Sequence, residues 1–403
     1  MKQVWEKIVE GILTCSGFIT SITIVLIVIF LFTEAFGLFG NKVTEEGYVL
    51  AVNGKNPVRE LSAVQIKDVF DEEITNWSEV GGPDIGIKVF RLEDITSYIY
   101  FSEEELGAEY DKAGECIGKV VADHPGIIAF VPAKFIEKDF PGRLLKDEHI
   151  SFSEVFAGKE WFPTATPAPQ FGFVPLVMGT LWVSFFAILF ALPFGLSVAV
   201  YMSEVASSRT RGFLKPVIEL LNGIPSVVYG FFGLIVIVPL IQKVFDLPVG
   251  ETGLAGSIVL AIMALPTIIT VSEDAMRNCP RAMREASLAL GATHWQTIYK
   301  VVIPFSISGI TSGVVLGIGR AIGETMAVLM VTGNAAVIPT TILEPLRTIP
   351  ATIAAELGEA PAGGAHYEAL FLLGVVLFLI TMIINFSVEY ISSKTGAGFG
   401  RKS

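Results

Sequence analysis

The stretch EASLALGATHWQTIYKVVIP, Glu285 to Pro304, decides how the chain is organised. It opens on Glu285 and Ala286, carries a glycine at Gly291, and ends in an apolar run closed by Pro304. Ala286, Leu288, Ala289 and Ala292 favour helix. Gly291 lets backbones approach closely or the chain bend. A helix–turn–helix is therefore predicted. Two readings fit such a piece: an ordinary loop, or a segment built to sit in a groove of another protein.

On either side of it lie uncharged runs of the length that crosses a bilayer, about 20 residues each. They are predicted at Gly11–Thr33, Val174–Met202, about Leu220–Ile241, Thr252–Ser272, Ile307 to Val331 and Ala369–Val388, six in all. The fifth holds Arg320 and Glu324. The basic residues then set the orientation. Lys2 and Lys7, then Arg209, Arg211 and Lys215, then Arg277, Arg281, Arg284 and Lys300, and last Lys394, Arg401 and Lys402 share one side if both termini are cytoplasmic. That places Glu285–Pro304 in the cytoplasm. The first run exceeds the apolar core of a secretory signal, and no small-x-small site follows, so an uncleaved anchor is expected.

The chain has 403 residues, 52% of them hydrophobic, and a formal charge of −12. Lys42 to Glu160 carry 24 acidic and 13 basic residues, so almost all the acidity belongs to one polar insert. That balance argues against a nucleic-acid partner. By the topology above the insert is extracytoplasmic. It reads as a small α/β unit. Ser62 caps a helix with Ile66, Val69 and Phe70 on one face. Ile85, Ile87 and Val89 alternate as a strand does. Ile117, Val120 and Val121 fit a second helix, and Gly126–Val131 a buried strand. Gly81-Gly82-Pro83-Asp84 reads as a turn, and Pro163–Pro169 as a tether to the second span. Cys15, Cys116 and Cys279 fall in three different compartments, so no disulfide framework is expected. The histidines are scattered without metal-ligand spacing.

The chemistry concentrates in the fifth span. Gly309, Gly313 and Gly317 recur every fourth residue, and Gly319 and Gly323 repeat the interval; small residues at this spacing let membrane helices pack closely. Arg320 and Glu324, four apart, would share one helix face. Charge inside a bilayer is costly, about 2.5–3.5 kcal/mol per residue on insertion scales. The pair is therefore either a site on the path of an anionic solute, with Glu324 orienting Arg320, or a buried ion pair locking helices. Pro225 opens the third span and Pro266 interrupts the fourth, as cavity-lining breaks or as simple kinks. No G-x-x-x-x-G-K-[ST] loop occurs, so the chain has no nucleotide-hydrolysing motif of its own, and no cofactor site is expected.

Glu285-Ala286-Ser287, then Gly291, then Ile303-Pro304 resemble the EAA loop of binding-protein-dependent ABC importer permeases. From Phe152 to the C-terminus several blocks resemble the C-type permease subunit of phosphate importers (the PstC family). They include Trp161-Phe162-Pro163, Ile224-Pro225-Ser226, Leu265-Pro266-Thr267, Ser272-Glu273-Asp274 and Gly319-Arg320-Ala321-Ile322-Gly323-Glu324-Thr325-Met326. The resemblance implies a mainly α, polytopic MetI-like bundle of six helices in the cell membrane, surrounded by lipid. It implies half of a pore completed by an A-type permease subunit. A cytoplasmic ABC ATPase dimer binding ATP-Mg would drive it, and an extracytoplasmic phosphate-binding protein would feed it. Glu285, Ala286, Gly291 and Ala292 would couple to the ATPase, and Arg320, Glu324 and Thr325 would line the phosphate path. The insert departs from the pattern. Leu61–Ile87 and Pro125–Phe130 resemble parts of the phosphate-binding protein itself. Arg91 stands where that family has an arginine, but Ile95-Thr96-Ser97 replaces its Ser-Gly-Thr phosphate loop. One degenerate lobe, serving docking or gating, is expected. The domains so read are 1–40, 41–160 and 161–403, with the coupling loop at 285–304.

Overall fold

The computed structural model describes residues 2–45, 47–97, 106, 112–136, 139–146 and 149–400. Arg401 and Lys402, used above to orient the chain, lie outside the described residues, as do the side chains of Thr96 and Ser97. The chain divides into two compact units, Met1–Phe173 with Ala360–Leu372, and Val174–Glu359 with Leu373–Ser403.

The first unit opens with helix α1, Lys2–Gly37, whose apolar part is long enough to span a membrane. A four-stranded sheet follows. Strands β1 (Tyr48–Asn53), β2 (Lys88–Arg91), β3 (Ile127–Pro132) and β4 (Gly142–Leu144) stand in the order β2-β3-β1-β4. β2 runs parallel to β3, and β1 runs antiparallel to both its neighbours, with Ala51 opposite Ala129 and Leu144. Helix α2 (Ala63–Phe70) is capped by Ser62 and Gln65 in a reciprocal capping box, which satisfies two otherwise orphaned amides. It buries Ile66, Val69 and Phe70 as expected. The short α3 (Asp94–Ser97) and α4 (Ala113–Asp123) follow; Ile117, Val120 and Val121 of α4 pack with Phe90, Ile95, Ile127 and Val131 in one core. The predicted strand at Ile85–Val89 forms later, at Lys88–Arg91, and its buried residue is Phe90. Upstream, Ile85 and Ile87 belong to the turn that closes around Trp77, whose Nε1 donates to Gly126 O at 2.9 Å. Gly81 takes φ +80° there, the turn expected from the glycine pair.

Helix α5 (Phe152–Ala157) leads into a hairpin of β5 (Trp161–Phe162) and β6 (Gln170–Phe171). The Pro-rich stretch is thus no free tether. Trp161, Ala168, Phe171 and Phe173 are buried, and Gln170 Nε2 donates to Ala63 O at 3.1 Å. The unit boundary lies at Phe173 rather than at Glu160.

The second unit is helical. It comprises α6 (Val174–Val200), α7 (Ser208–Asn222), α8 (Ser226–Phe232), α9 (Val238–Phe245), α10 (Gly253–Arg277), α11 (Arg281–Ala289), α12 (His294–Thr297), α13 (Ile303–Gly323), α14 (Met326–Val331), α15 (Ile349–Glu356) and α16 (Ala365–Gly400), the first turns of α16 belonging to the other unit. Three wide π turns join or extend these helices, at Tyr201–Val205, Gly233–Ile237 and Ile298–Val302. Among the described residues six helical stretches are long and apolar enough to cross a membrane: Val9–Gly40, Val174–Val205, Ser226–Phe245, Gly253–Arg277, His294–Gly323 and Ala365–Tyr390.

Several span ends differ from expectation: the fifth span begins at His294, ahead of Ile307, and two of the differences mark helix breaks. The third span begins at Ser226, because α7 ends at Asn222 and Gly223-Ile224-Pro225 breaks the chain. The fifth ends at Gly323: Glu324 is extended, at φ −71° and ψ 131°, and α14 starts afresh. Pro266, by contrast, does not interrupt the fourth span. α10 continues through it, fully helical and with Pro266 buried. The bundle core, including Val183, Tyr229, Val238, Ile241, Val259, Leu260, Met263, Ala321, Val328 and Val331, is contributed by α6, α8, α9, α10, α13 and α14.

Candidate functional site

Two broken helices meet in the second unit. α7 stops before Pro225, whose fixed φ and missing amide suit the residue that opens a helix, and α8 begins directly after it. α13 stops at Gly323 and α14 begins at Met326. α8 and α14 pack closely because Gly230 has no side chain; a Cβ there would lie 2.9 Å from Ala327 Cα and 2.8 Å from Met330 Sδ.

Arg320, in the last turn of α13, reaches across this junction. Its Nη1 donates to Asn222 Oδ1 at 2.5 Å, the last residue of α7. The neighbouring Leu221 O accepts the Tyr229 hydroxyl at 2.7 Å, so the end of α7 is tied to α8 as well. Arg320 itself is half-buried. A guanidinium has five N–H donors, and among the described residues only the Asn222 bond engages those of Arg320. The remaining donors form a cationic fork of the shape that receives an oxyanion.

Glu324 does not share a helix face with Arg320, and the two make no ion pair among the described residues. The break at Gly323 is the reason. Glu324 turns instead to α14, where its Oε1 accepts the Ala327 amide at 3.3 Å, a favourable place for a carboxylate at a helix start. Thr325 donates to Gly323 O at 3.3 Å. The orienting partner of Arg320 is therefore Asn222, which the sequence reading missed; lying 98 residues away, it left no local signal.

The Gly309, Gly313 and Gly317 stripe faces α10. Added Cβ atoms would lie 2.3 Å from Ala275 Cβ, 3.2 Å from Val271 Cβ and 2.9 Å from Ile268 Cγ1. Gly319 and Gly323 have nothing within 4 Å and do not extend that packing.

The Glu285–Pro304 stretch folds as the predicted helix–turn–helix. α11 ends in a left-handed turn at Gly291, φ +85°. Gly291 N donates to Leu288 O at 3.0 Å and Ala292 N to Ser287 O at 3.2 Å, the bond pattern of a Schellman C-cap. Nothing approaches Gly291, so of the two roles open to it the bend is the one used. Thr293 then caps α12 in a capping box with Gln296. Glu285, Ala286 and Gly291 are exposed, Ala292 is half-buried, and α11 buries no residue. Leu290 is 89% exposed and Trp295 63%, so the turn presents a bare apolar surface. Arg284 turns inward, donating to Glu204 Oε1 at 2.8 Å and to the carbonyls of Cys279 and Met276, and the half-buried Ser287 shares a hydrogen bond with Thr297 at 2.9 Å. Burial pushes the Cys279 thiol up, and the nearby Arg284 partly offsets it.

Among the described residues no group of three or more His, Cys, Asp or Glu could hold a metal. In the first unit, Ile95 is buried in the core at the place of the resembled phosphate loop, and the Arg91 guanidinium lies 5.5 Å over the Phe70 ring.

Residues 191–396 match the family model described as "Binding-protein-dependent transport system inner membrane component". The chain belongs to this permease family. Residues 32–139 match a second model, that of a PBP superfamily domain. Over 245 residues the chain is 40% identical to "Probable ABC transporter permease protein YqgH" of Bacillus subtilis (strain 168), covering 61% of this chain and 79% of that protein. Over 262 residues it is 36% identical to "Phosphate transport system permease protein PstC" of Mesorhizobium japonicum, covering 59% and 79%. A solved inward-facing MetNI methionine ABC transporter chain aligns at 20% identity and a TM-score of 0.43, over 54% of this chain and 94% of that one. The permease is a multi-pass membrane protein with a small strand-containing region following its first helix.

Proposed function

We propose that this permease is a subunit of an ATP-driven importer of inorganic phosphate. The observation that carries the reading is the Arg320 fork, held by Asn222 at the meeting of two broken helices inside a membrane bundle. Broken helices are where transporters admit polar backbone and solute at membrane depth, and intramembrane cations mark anion paths. The relatives named as phosphate permeases support phosphate as the anion. Arg320 attracts it; Glu324 and Thr325, at the start of α14, border the same break. Pro225 sets the break on the other side, while Pro266 serves packing within α10.

In this reading the chain forms half of a pore with an A-type permease subunit. The exposed α11–α12 turn, with Glu285, Ala286, Gly291 and Ala292, docks on a cytoplasmic ATPase dimer that binds ATP-Mg. Both termini are cytoplasmic. The insert is extracytoplasmic, and its PBP-like sequence supports a docking or gating role toward a phosphate-binding protein. The buried Ile95 argues against the insert as the receptor.

The test is uptake of radiolabelled phosphate into vesicles holding the permease, its partner subunits and ATP, competed by sulfate and molybdate. Phosphate uptake resisting both competitors is expected, and Arg320→Gln abolishes it while leaving ATPase assembly intact. Absence of phosphate uptake, or preference for another oxyanion, rejects the substrate. Loss of assembly in Arg320→Gln assigns Arg320 to packing.

A further inference from the structure

α7 attaches to the bundle in an unusual way for a helix beside a membrane. Arg211, Lys215, Ile218 and Asn222 recur at intervals of four, three and four, which places them on one face. Ile218 is the only buried residue of α7, packed with Met202 and Ile269. The opposite face is apolar and open, with Phe213 at 71% and Leu220 at 72% exposure. The usual amphipathic arrangement is inverted: charge points inward.

What it points at is Glu273, on α10, whose side chain is 1% exposed. Arg211 Nη2 lies 2.8 Å from one carboxylate oxygen, and Lys215 Nζ lies 2.9 Å from the other. Lys215 also reaches Asp274 Oδ1 at 2.7 Å, and Arg277 Nη1 approaches Glu273 at 3.8 Å. A buried carboxylate persists only when paired, and removing one member of such a pair leaves a costly lone charge. This cluster, with the apolar contacts of Ile218 and the half-buried Leu214, therefore fixes where α7 sits along α10. α10 is also the frame for Arg320: α13 lies against it through Gly309 on Ala275 and Gly313 on Val271, the residues two positions either side of Glu273. The two partners of the Arg320–Asn222 bond are thus both referenced to one short segment of α10.

We infer that Glu273 is a positioning residue for Arg320: by holding Arg211 and Lys215 it sets α7 so that Asn222, about two turns or 10 Å further on, meets the guanidinium. The consequence for transport rests on reading Arg320 as the anion site.

The test uses the fully assembled transporter in proteoliposomes. Glu273→Gln and Asn222→Ala each lower phosphate uptake, by about tenfold, and the double variant is no slower than Asn222→Ala alone, since residues acting as one unit are not additive. Independent losses that multiply overturn the inference, because a merely structural role for Glu273 would not be silenced by removing Asn222. Lys215→Met gives the same pattern should Glu273→Gln assemble poorly. A second arm needs no substrate. Spin labels are placed on cysteines introduced at the exposed Phe213 of α7 and Leu316 of α13, with Cys15, Cys116 and Cys279 replaced by alanine. Their distance distribution broadens or shifts in Glu273→Gln; an unchanged distribution overturns the inference, whatever the transported anion proves to be.

Discussion

Gly291→Ala isolates the conformational role of the α11–α12 turn. The residue sits at φ +85°, and a Cβ there would meet nothing within 4 Å. The substitution therefore carries no steric clash, and its whole effect is backbone strain. For an ordinary L-residue the left-handed region costs about 1–2 kcal/mol, or about 5–30-fold in an equilibrium constant. The turn has little with which to absorb the loss. It is closed by two hydrogen bonds, at 3.0 and 3.2 Å, on a helix with no buried residue. A ligand that binds only the turned form loses affinity in proportion to the turned fraction. The apparent Kd of the proposed partner ATPase for the permease in nanodiscs is therefore expected to rise, by up to about 5–30-fold. Gly291→Asn, which tolerates the left-handed region several-fold better than most residues, stays within about threefold of the wild type. Membrane insertion is normal in both. If Ala and Asn weaken docking equally, the effect is one of surface rather than conformation; if Ala binds as tightly as Gly, the turn is not the docking element.

Three further outcomes follow from the packing. Gly309→Ala forces a Cβ to within 2.3 Å of Ala275 Cβ, an overpacking worth about 1–3 kcal/mol, so its Tm in detergent falls. Gly319→Ala meets nothing and, being a helix-interior glycine replaced, holds or raises the Tm by the equivalent of about 0.5–1 kcal/mol. Equal effects of the two would contradict the assigned α10–α13 interface. Cys279 is 2% exposed and its thiol is pushed up by burial; little thiolate forms at neutral pH, so maleimide labels it slowly, and faster labelling of Cys279 reports α11 lifting away. Finally, residues 41–173, once circular dichroism shows them folded, give no calorimetric heat with phosphate; saturable heat at micromolar phosphate would make this unit the receptor.

The elements legible in the sequence are those whose signal is local. Ser62 with the Ile66, Val69 and Phe70 face announces α2, Gly291 announces the α11–α12 turn, and long apolar runs announce the spans. The elements missed depend on partners far along the chain. β1, in the middle of the sheet, reads Tyr-Val-Leu-Ala-Val-Asn without alternation, because four successive residues are buried; only its pairing with β3, some 80 residues away, reveals it. The break at Gly323 was hidden because Met326–Val331 prolongs the apolar run, and hydropathy sees composition rather than hydrogen-bond continuity. Arg320 and Glu324 stand out in the sequence as costly charges, but the helical period places them together across a break where that period does not apply. Pro266 shows the opposite error: the residue type signals a break, yet a helix buried on most sides tolerates the lost hydrogen bond. Of the Glu273 cluster, Arg211, Lys215 and Arg277 count in the sequence only toward orientation, and Glu273 and Asp274 stand only inside a family-like block.

The π turn at Ile298–Val302 stands between the Gly291 turn and α13. Such a turn holds one residue more than an α turn, so it absorbs a surplus residue. In regular α-helix each residue advances the azimuth by about 100°, and an extra one would swing everything beyond it by that angle. Inside the wide turn the surplus is taken up within about one turn, so the exposed Leu290–Trp295 surface keeps nearly the azimuth relative to Arg320 that a regular helix one residue shorter would give it. The wide turn is thus a place where chain length can change while the direction in which a push on that surface is delivered stays the same.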